Sequence, residues 1–215
     1  MIRSTLLLSL FVLLLSSCNN STAQTAEVKQ KTILKEGLSK AYFASGCFWC
    51  VEAVFENVRG VEEAVSGYSG GTKKNPTYKE ICTGTLRHAE AVEVYYDPEV
   101  VSYETLLKVF FGSQDPTTPN QQGPDRGPQY RSIAFYQTAA EKTQIEAYIS
   151  ELDASGVFDK KIVTEVVAFE VFWPAEEYHQ DFEKRNPNQG YVKAVSVPRL
   201  LKFESKFPSL LKLKH

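Results

Sequence analysis

The sequence predicts a single mixed α/β or α+β domain. Segments with the two-residue alternation of strands are interleaved with segments whose apolar residues recur every three or four positions, as in amphipathic helices. The chain has 215 residues, 43% hydrophobic and 23% charged, which suits one globular domain with extensions at its ends. Because strands and helices alternate and no internal repeat is present, we expect a sheet covered by helices.

The first half of the domain is predicted to contain strand 40–44, helix 48–57, strand 61–68, a short helical piece ending at 82, and strand 89–96. Val51, Val54, Phe55 and Val58 give the first helix its apolar face. Glycines 70 and 71 end the second strand, and the pair 97–98, Asp-Pro, ends the third.

The second half is predicted to contain helix 102–111, strand 131–136, helix 138–154, strand 164–172 and helix 175–184. Ser102 is the expected N-cap of its helix, and Thr138 with Glu141 forms an expected capping box. Residues 114–129 are predicted to form a long loop with four prolines and two glycines. Loops of this length within a compact domain are commonly functional.

The first 18 residues are typical of an export signal. A positive charge at Arg3 precedes an apolar run from Leu6 to Leu15 that is short for a membrane span. Leu15-Ser16-Ser17-Cys18 resembles a bacterial lipobox, which predicts lipidation of Cys18 and a membrane-anchored protein facing the periplasm or the cell exterior. An ordinary cleaved signal peptide is the alternative. Residues 19–37 are expected to form a flexible tether, 38–193 the folded domain and 194–215 a basic tail.

The cysteine count indicates working thiols. The chain has four cysteines, at 18, 47, 50 and 82. If Cys18 is acylated, three remain, and an odd number outside the cytoplasm argues against a purely structural disulfide framework. Such thiols need a source of reducing equivalents.

Gly46-Cys47-Phe48-Trp49-Cys50 is the most informative motif. It follows an apolar strand and opens a helix, so Cys47 is expected at a helix N-terminus, where the pKa of a thiol can fall from about 8.5 to roughly 3.5–7.5. Cys50 lies three residues further on and shares the helical face of Cys47, close enough for a disulfide. The alternative is a pair of buried structural cysteines.

Neighbouring residues suggest a small apolar substrate group. Phe48 and Trp49 are expected to form an apolar wall beside the thiol, because two adjacent aromatics cannot both face inward along one helix stripe. Glu90 opens a strand and could act as a general acid if burial raises its pKa, although most such residues are solvated. Tyr78 and Tyr130 could donate hydrogen bonds to a substrate oxygen, but tyrosine also packs in cores.

Other functions fit the sequence less well. A net charge of −2 suggests no nucleic-acid partner. A zinc site is disfavoured because the histidines are scattered and no second cysteine pair occurs. Zinc deaminases place His-x-Glu before Pro-Cys-x-x-Cys, whereas in this chain the Cys-x-x-Cys pair comes first and no proline precedes Cys47. A thioredoxin-like thiol oxidoreductase remains the main alternative enzyme, and an anchored interaction module the non-enzymatic one.

Seven motifs together resemble those of the A-type peptide methionine sulfoxide reductases, in order and in spacing. They are 46–49 (GCFW), 67–71 (GYSGG), 75–78 (NPTY), 88–92 (HAEAV), 125–132 (DRGPQYRS), 175–180 (AEEYHQ) and 184–187 (KRNP). The resemblance spans about residues 40–191. It implies a two-layer sandwich with a ferredoxin-like core, and reduction of methionine-S-sulfoxide, free or in proteins, as a repair activity.

The resemblance also implies roles for individual residues. Cys47 would attack the sulfoxide sulfur and become a sulfenic acid. Glu90 would protonate the sulfoxide oxygen, with Tyr78 and Tyr130 as further donors. The S-methyl group would be held by Phe48 and Trp49, and Asp125, by default only a turn residue, would hold the methionine backbone.

One departure from the family pattern concerns the resolving thiol. Many relatives carry a recycling cysteine in a Gly-Tyr-Cys segment, whereas this chain reads Gly190-Tyr191-Val192 and has no cysteine after Cys82. We therefore expect Cys50 to form the disulfide with Cys47, with Cys82 as the alternative. A thioredoxin-like protein would reduce that disulfide, so neither a cofactor nor a metal is expected, and the protein is expected to be a monomer.

The last residues are both basic and apolar. From residue 198 onward the sequence contains five lysines and arginines and one acid, Glu204, with leucines and phenylalanines between them. This pattern fits either an amphipathic helix on a membrane surface or a helix that packs back on the domain with a solvated basic face.

Overall fold

The computed structural model describes residues 36–213. The predicted signal sequence with Cys18, and nearly all of the tether, lie outside these residues. Within them the predicted mixture of strands and helices is confirmed.

Over residues 36–213, six strands form one mixed sheet in the order β7-β6-β1-β3-β2-β8. Neighbouring strands are antiparallel except β6 and β7, which are parallel. The remaining two, β4 and β5, form a separate small hairpin. The strands are β1 (Ser39–Ser45), β2 (Val61–Ser69), β3 (Ala89–Tyr96), β4 (Gln121–Gln122), β5 (Asp125–Arg126), β6 (Ser132–Tyr136), β7 (Glu165–Ala168) and β8 (Trp173–Pro174).

The main hydrophobic core lies between the sheet and the helices α1, α3 and α4. Phe43 of β1 stands at its centre, with its ring stacked 5.2 Å from Phe55 and 4.9 Å from Phe110. A smaller cluster covers the other face, where Phe169 stacks on Tyr42. The helices are α1 (Phe48–Glu56), α2 (Tyr78–Ile81), α3 (Tyr103–Gly112), α4 (Ala139–Ser155), α5 (Phe182–Arg185) and α6 (Val197–Lys206).

The two predicted N-caps are confirmed. The Ser102 hydroxyl accepts a hydrogen bond from the Thr105 N–H at 3.1 Å, and the Thr138 hydroxyl accepts one from the Glu141 N–H at 3.1 Å. The Glu141 carboxylate returns to the N–H of Gln137 rather than to that of Thr138. Both helices therefore begin where their sequences place them, but the capping box predicted for Thr138 and Glu141 forms only in its Thr138 half.

The predicted helix over 175–184 is wrong. Residues 173–174 pair with the sheet edge as β8, a single 3₁₀ turn covers Glu177–His179, and α5 begins only at Phe182. The Gln180 amide donates to the carbonyls of Ser66 and Ala175, which ties the segment to the sheet edge. Asp181 then adopts a φ of +52°, which interrupts any continuous helix.

The predicted strand 164–172 is too long, since β7 ends at Ala168. Beyond it the chain leaves the sheet edge so that Phe169 and Phe172 can cover the second face.

The C-terminal segment packs back on the domain. Helix α6 lies against α1, and its Phe203 is buried in the main core. The backbone then returns to the end of α1, where the Arg59 N–H donates to the Leu210 carbonyl and the Lys212 N–H to that of Asn57. Of the two interpretations of the basic tail, the structure shows packing. Over residues 36–213 the helices are all too short or too polar to cross a membrane.

Candidate active site

The turn between β1 and α1 positions Cys47. Gly46 has a φ of +83°, and a Cβ built there would lie 2.5 Å from the Cβ of Gln122, so both the backbone and the space require glycine. Cys47 is the N-cap of α1, and its carbonyl accepts the N–H groups of Cys50 and Val51. The predicted order of strand, glycine turn and helix is confirmed.

The predicted low pKa of Cys47 is wrong for this state. Its side chain is only 7% exposed, and burial raises the pKa of the thiol well above its ordinary value. The hydrogen bond with Cys50 and the negative charges of Cys50 and Glu90 raise it further. Loss of solvation outweighs the favourable helix N-terminus, so Cys47 rests as a neutral thiol.

The lowered pKa belongs instead to Cys50. The hydrogen bond from Cys47 lowers the pKa of Cys50 to about 6, against the effect of burial, and Arg199, Ser196 and Tyr191 lower it as well. The Cys50 sulfur lies 2.9 Å from the Ser196 hydroxyl and 3.9 Å from the Tyr191 hydroxyl. The two thiols therefore titrate as a pair, and the hydrogen bonds and the Arg199 charge around Cys50 favour the thiolate on that sulfur.

Glu90 is a buried neutral acid beside the first turn of α1. It lies on β3 opposite Tyr68, is 1% exposed, and its Oε2 accepts the Phe48 N–H at 3.0 Å. Burial raises the pKa of Glu90 to about 8, and the charges of Asp125 and Cys50 act in the same direction. The carboxyl therefore carries a proton near pH 7, as a general acid requires.

Two tyrosines flank this acid. Burial and then the charge of Glu90 raise the pKa of Tyr78 and that of Tyr130, so both phenols keep their protons and can donate hydrogen bonds. The N–H of Tyr78 donates to Glu176 at 2.9 Å, and Glu176 also accepts the Tyr68 hydroxyl. These bonds fix the start of α2 against β2.

An aromatic cluster forms the wall beside Cys47. Phe48 is buried in the core, whereas Trp49 is partly exposed and stacks 3.6 Å from the ring of Phe182. The Trp49 indole N–H donates to the Nδ1 of His179 at 3.2 Å. His179 also packs on Phe48 and on Tyr78, with ring centroids 5.0 and 4.4 Å apart.

The sequence pattern alone indicated no role for His179. Burial lowers the pKa of His179 to about 4, so it is neutral and acts here as a hydrogen-bond acceptor for the indole. Its motif, residues 175–180, was visible in the sequence, but its apparent helical pattern concealed that the histidine turns inward.

Asp125 and Tyr191 close the opposite side of the site. Asp125 lies in the β4–β5 hairpin, and its carboxylate accepts the Tyr191 hydroxyl. Burial raises the pKa of Asp125. The C-terminal segment thus reaches both the candidate substrate-binding carboxylate and, through Cys50, the thiol pair.

The third cysteine of the described residues lies elsewhere in the site. Cys82 is exposed at the C-terminal end of α2, and its N–H donates to the Tyr78 carbonyl at 2.9 Å. Cys47, Cys50 and Cys82 are all free thiols in this structure. Cys47 and Cys50 are in contact, and Cys82 is on the Tyr78 side.

A cleft of about 310 Å³ opens onto Cys50 from the solvent. It lies between loop 112–125 and the C-terminal segment, and its walls include Asp125, Tyr191, Arg199 and Lys202. Cys50, although only 2% exposed, therefore borders this cleft on a side other than the aromatic wall.

Residues that could hold a metal form one cluster in the described part of the chain: Glu52, Glu56 and Asp181. The protein's own groups already engage it. The Ser66 hydroxyl and the Asp181 N–H donate to Glu52, and Lys184 pairs with Glu56.

Comparison with known proteins gives a consistent result. Residues 39–210 match the family model for peptide methionine sulfoxide reductase. The chain is 49% identical over 177 residues to peptide methionine sulfoxide reductase MsrA 2 of Synechocystis sp., an alignment covering 82% of this chain and 83% of that protein. It is 49% identical over 173 residues to peptide methionine sulfoxide reductase MsrA of Pasteurella multocida, covering 80% and 98%.

Two solved structures have a similar fold. Mxr1 from Saccharomyces cerevisiae in reduced form aligns with a TM-score of 0.67 and 30% identity, over 75% of this chain and 92% of that one. Methionine sulfoxide reductase A of Corynebacterium diphtheriae aligns with a TM-score of 0.65 and 33% identity, over 72% and 78%.

Proposed function

Because this chain belongs to the peptide methionine sulfoxide reductase family, in its A type, and is a peptide-methionine (S)-S-oxide reductase, we propose how its residues carry the reaction. Cys47 is the nucleophile and Glu90 the acid. This is the family that the sequence motifs indicate, and the substrate is methionine-S-sulfoxide, free or in proteins.

The observation that carries the assignment of residues is the position of Glu90. The neutral carboxyl of Glu90 accepts a hydrogen bond from the N–H of Phe48, the residue that directly follows Cys47 in the chain. A sulfoxide oxygen must gain a proton as its bond to sulfur breaks, and a preorganised acid beside the nucleophile supplies it. Tyr78 and Tyr130 are protonated donors to the same oxygen.

Substrate binding uses the two sides of the site. Phe48 and Trp49 hold the S-methyl group, and His179 fixes the indole through its Nδ1. Asp125 holds the methionine backbone. In the free protein Asp125 accepts the Tyr191 hydroxyl, so the substrate must share or replace this bond.

The first step balances without an added reductant. The sulfur of Cys47 attacks the sulfoxide sulfur while the oxygen takes the proton of Glu90. The oxygen then passes to Cys47, methionine leaves, and the former thiol proton returns to Glu90. The substrate sulfur is reduced, and Cys47 is oxidised to a sulfenic acid.

The second step forms a disulfide between Cys47 and Cys50. Cys50 interacts with Cys47, and its surroundings lower the pKa of its thiol, which favours the thiolate that attacks. Cys82 is the alternative partner. A thioredoxin-like dithiol then reduces the disulfide and supplies the two electrons of each turnover, so the reaction needs no bound cofactor.

Location follows from the sequence. We propose that the protein is exported as a monomer and anchored in a bacterial membrane through lipidated Cys18, because the lipobox-like segment 15–18 ends in cysteine. Metabolic labelling with a fatty acid should label the wild type and not Cys18→Ala. Equal labelling of the two proteins would contradict lipidation of Cys18.

An epimer-resolved assay tests the activity. The purified protein with dithiothreitol should convert a methionine-S-sulfoxide peptide to the methionine form and leave the R epimer unchanged. Cys47→Ser should abolish conversion, whereas Cys82→Ser, the matched control, should retain it. Reduction of a generic disulfide substrate, with no conversion of the sulfoxide, would instead indicate a thiol–disulfide exchange protein.

A further inference from the structure

We infer that the C-terminal segment, which carries no cysteine in this chain, supplies Ser196 and Arg199 as positioning residues that hold Cys50 as the resolving thiolate. This inference rests on the proposed reaction at Cys47. It assigns a redox task to a segment that the sequence presented only as a basic amphipathic tail.

Ser196 makes the direct contact. Its hydroxyl lies 2.9 Å from the Cys50 sulfur, and its side chain is 1% exposed. Ser196 ends a π-helical turn, Val192–Ser196, that precedes α6. Such turns are rare and occur often at functional sites, because they re-aim side chains that a regular helix would direct elsewhere. A serine hydroxyl aimed at a buried sulfur can donate a hydrogen bond to its thiolate.

Arg199 supplies the positive charge. Its Nε donates to the Ser113 carbonyl at 2.8 Å, its Nη1 to the Ser45 carbonyl at 3.0 Å and its Nη2 to the Ser45 hydroxyl at 3.1 Å. These three acceptors are neutral, and the negative charge that Arg199 also acts on is the carboxylate of Asp125, which lines the same cleft. The field of Arg199 reaches the Cys50 sulfur.

The groups that face Cys50 come from several elements. Arg199 on α6 is the cation, and Cys47 is a hydrogen-bond donor. The Tyr191 hydroxyl, which donates its proton to Asp125, lies 3.9 Å from the Cys50 sulfur. The carboxyls whose charges act with that of Cys50 are Glu90 on β3 and Glu183 on α5. Burial raises the pKa of Glu90 to about 8 and that of Glu183 to about 7, so both hold protons for much of the time at neutral pH. Arg199 is the cation that acts on Cys50, and Asp125 and Lys202 are the other charged residues on the walls of the same cleft.

Cys50 is only 2% exposed, but it lies at the wall of a cleft that opens to solvent. Cys50, Tyr191 and Arg199 share the walls of the cleft that opens between loop 112–125 and α6. The thiolate of Cys50 attacks the sulfur of the Cys47 sulfenic acid, the sulfur–sulfur bond forms and the sulfur–oxygen bond breaks. The departing hydroxide takes the proton of Glu90 and leaves as water.

Alkylation of Cys50 tests the inference independently of any sulfoxide chemistry. In the full chain carrying Cys18→Ala, Cys47→Ser and Cys82→Ser, Cys50 is the one remaining thiol, and the serine at 47 keeps a hydrogen-bond donor. Its rate with iodoacetamide is measured against pH. We expect Ser196→Ala and Arg199→Gln each to raise the midpoint by about one pH unit, hence to slow the reaction about tenfold at pH values well below the midpoint of the parent.

Two controls separate charge from folding. Lys202→Gln removes a cation from the same helix and the same cleft and should leave the midpoint in place. Arg199→Lys keeps the positive charge but loses the planar set of guanidinium donors that hold it in place. Its midpoint should therefore lie between those of the parent and Arg199→Gln. Melting curves identify any variant that fails to fold. Unchanged midpoints in folded Ser196→Ala and Arg199→Gln would overturn the inference.

A second measurement uses the native cysteines. After one equivalent of methionine-S-sulfoxide, dimedone should trap several-fold more Cys47 sulfenic acid in Ser196→Ala than in the wild type, because resolution is slower. Equal trapping together with normal methionine release would reject the role of Ser196. Absence of methionine release from the wild type would reject the proposed function instead.

Discussion

The carboxyl of Glu90 and the backbone N–H of Phe48 lie 3.0 Å apart, and this contact joins β3 to the first turn of α1. Glu90, the proposed acid, and Cys47, the proposed nucleophile, come from distant parts of the chain, 43 positions apart. Their separation is fixed by one backbone donor that the start of a helix leaves without an intrahelical partner.

Replacing Glu90 tests its role as the acid. Glu90→Gln keeps an acceptor for the Phe48 N–H but cannot donate a proton, so we expect kcat/KM for the S-sulfoxide to fall about 10²-fold or more at pH 7. In the wild type, activity should decline as the pH rises through about 8, where Glu90 loses its proton. The residual activity of Glu90→Gln should lack this decline, and an unchanged pH profile in the variant would assign the proton to another group.

The indole–imidazole contact predicts a stability effect. His179→Leu removes the acceptor of the Trp49 N–H in a part-buried site, which should cost about 1–3 kcal/mol of unfolding free energy and raise the KM for the sulfoxide. His179→Gln can still accept this hydrogen bond and is the matched variant. Denaturant unfolding and steady-state kinetics measure both effects. Equal losses in the two variants would mean that ring packing, and not the hydrogen bond, sets the position of Trp49.

Gly46 is expected to tolerate no side chain. Gly46→Ala combines a positive φ with a Cβ 2.5 Å from Gln122, so the backbone under Cys47 must shift. We expect a loss of about 1–3 kcal/mol of stability and a larger loss of activity. Gly156→Ala, at φ +65° with nothing within 4 Å, bears the conformational cost alone and should retain full activity. Normal turnover by Gly46→Ala would show that the turn does not fix the thiol.

The buried carboxyl of Glu52 predicts how stability depends on pH. Burial raises its pKa to about 8, well above the ordinary value of 4.5. The folded state therefore binds the proton of Glu52 more tightly than the unfolded state does. The stabilisation that this proton gives the folded state is complete below pH 4.5 and is lost as the pH rises through about 8. Glu52→Gln should flatten the fall in unfolding free energy across this range, as measured by urea titration at several pH values. An equally steep fall in the variant would exclude Glu52 as its source.

Much of the fold was predictable because its signals are local. Alternation gave β3 its bounds, and Ser102 and Thr138 marked the beginnings of their helices. Residues 175–184 failed because their apolar spacing imitates a helix, whereas long-range bonds from Gln180 to β2 hold them extended. No local pattern encodes a bond between residues more than 100 positions apart.

The site shows the same division between local and long-range information. The motifs placed Cys47, Glu90 and the aromatic wall together, and the structure does so too. The ionisation of the thiol pair could not be predicted from sequence, because it depends on burial and on the charge of Arg199, which folding brings to Cys50 from 149 positions away. A helix N-terminus alone predicted a charged Cys47, and desolvation reverses that result.

The most direct test of the account is a single turnover without reductant. The protein is given methionine-S-sulfoxide, the released methionine is counted, and the oxidised protein is mapped by peptide mass. We predict one methionine per protein and a disulfide between Cys47 and Cys50, with Cys82 still free. A disulfide between Cys47 and Cys82, or the release of no methionine, would contradict the account.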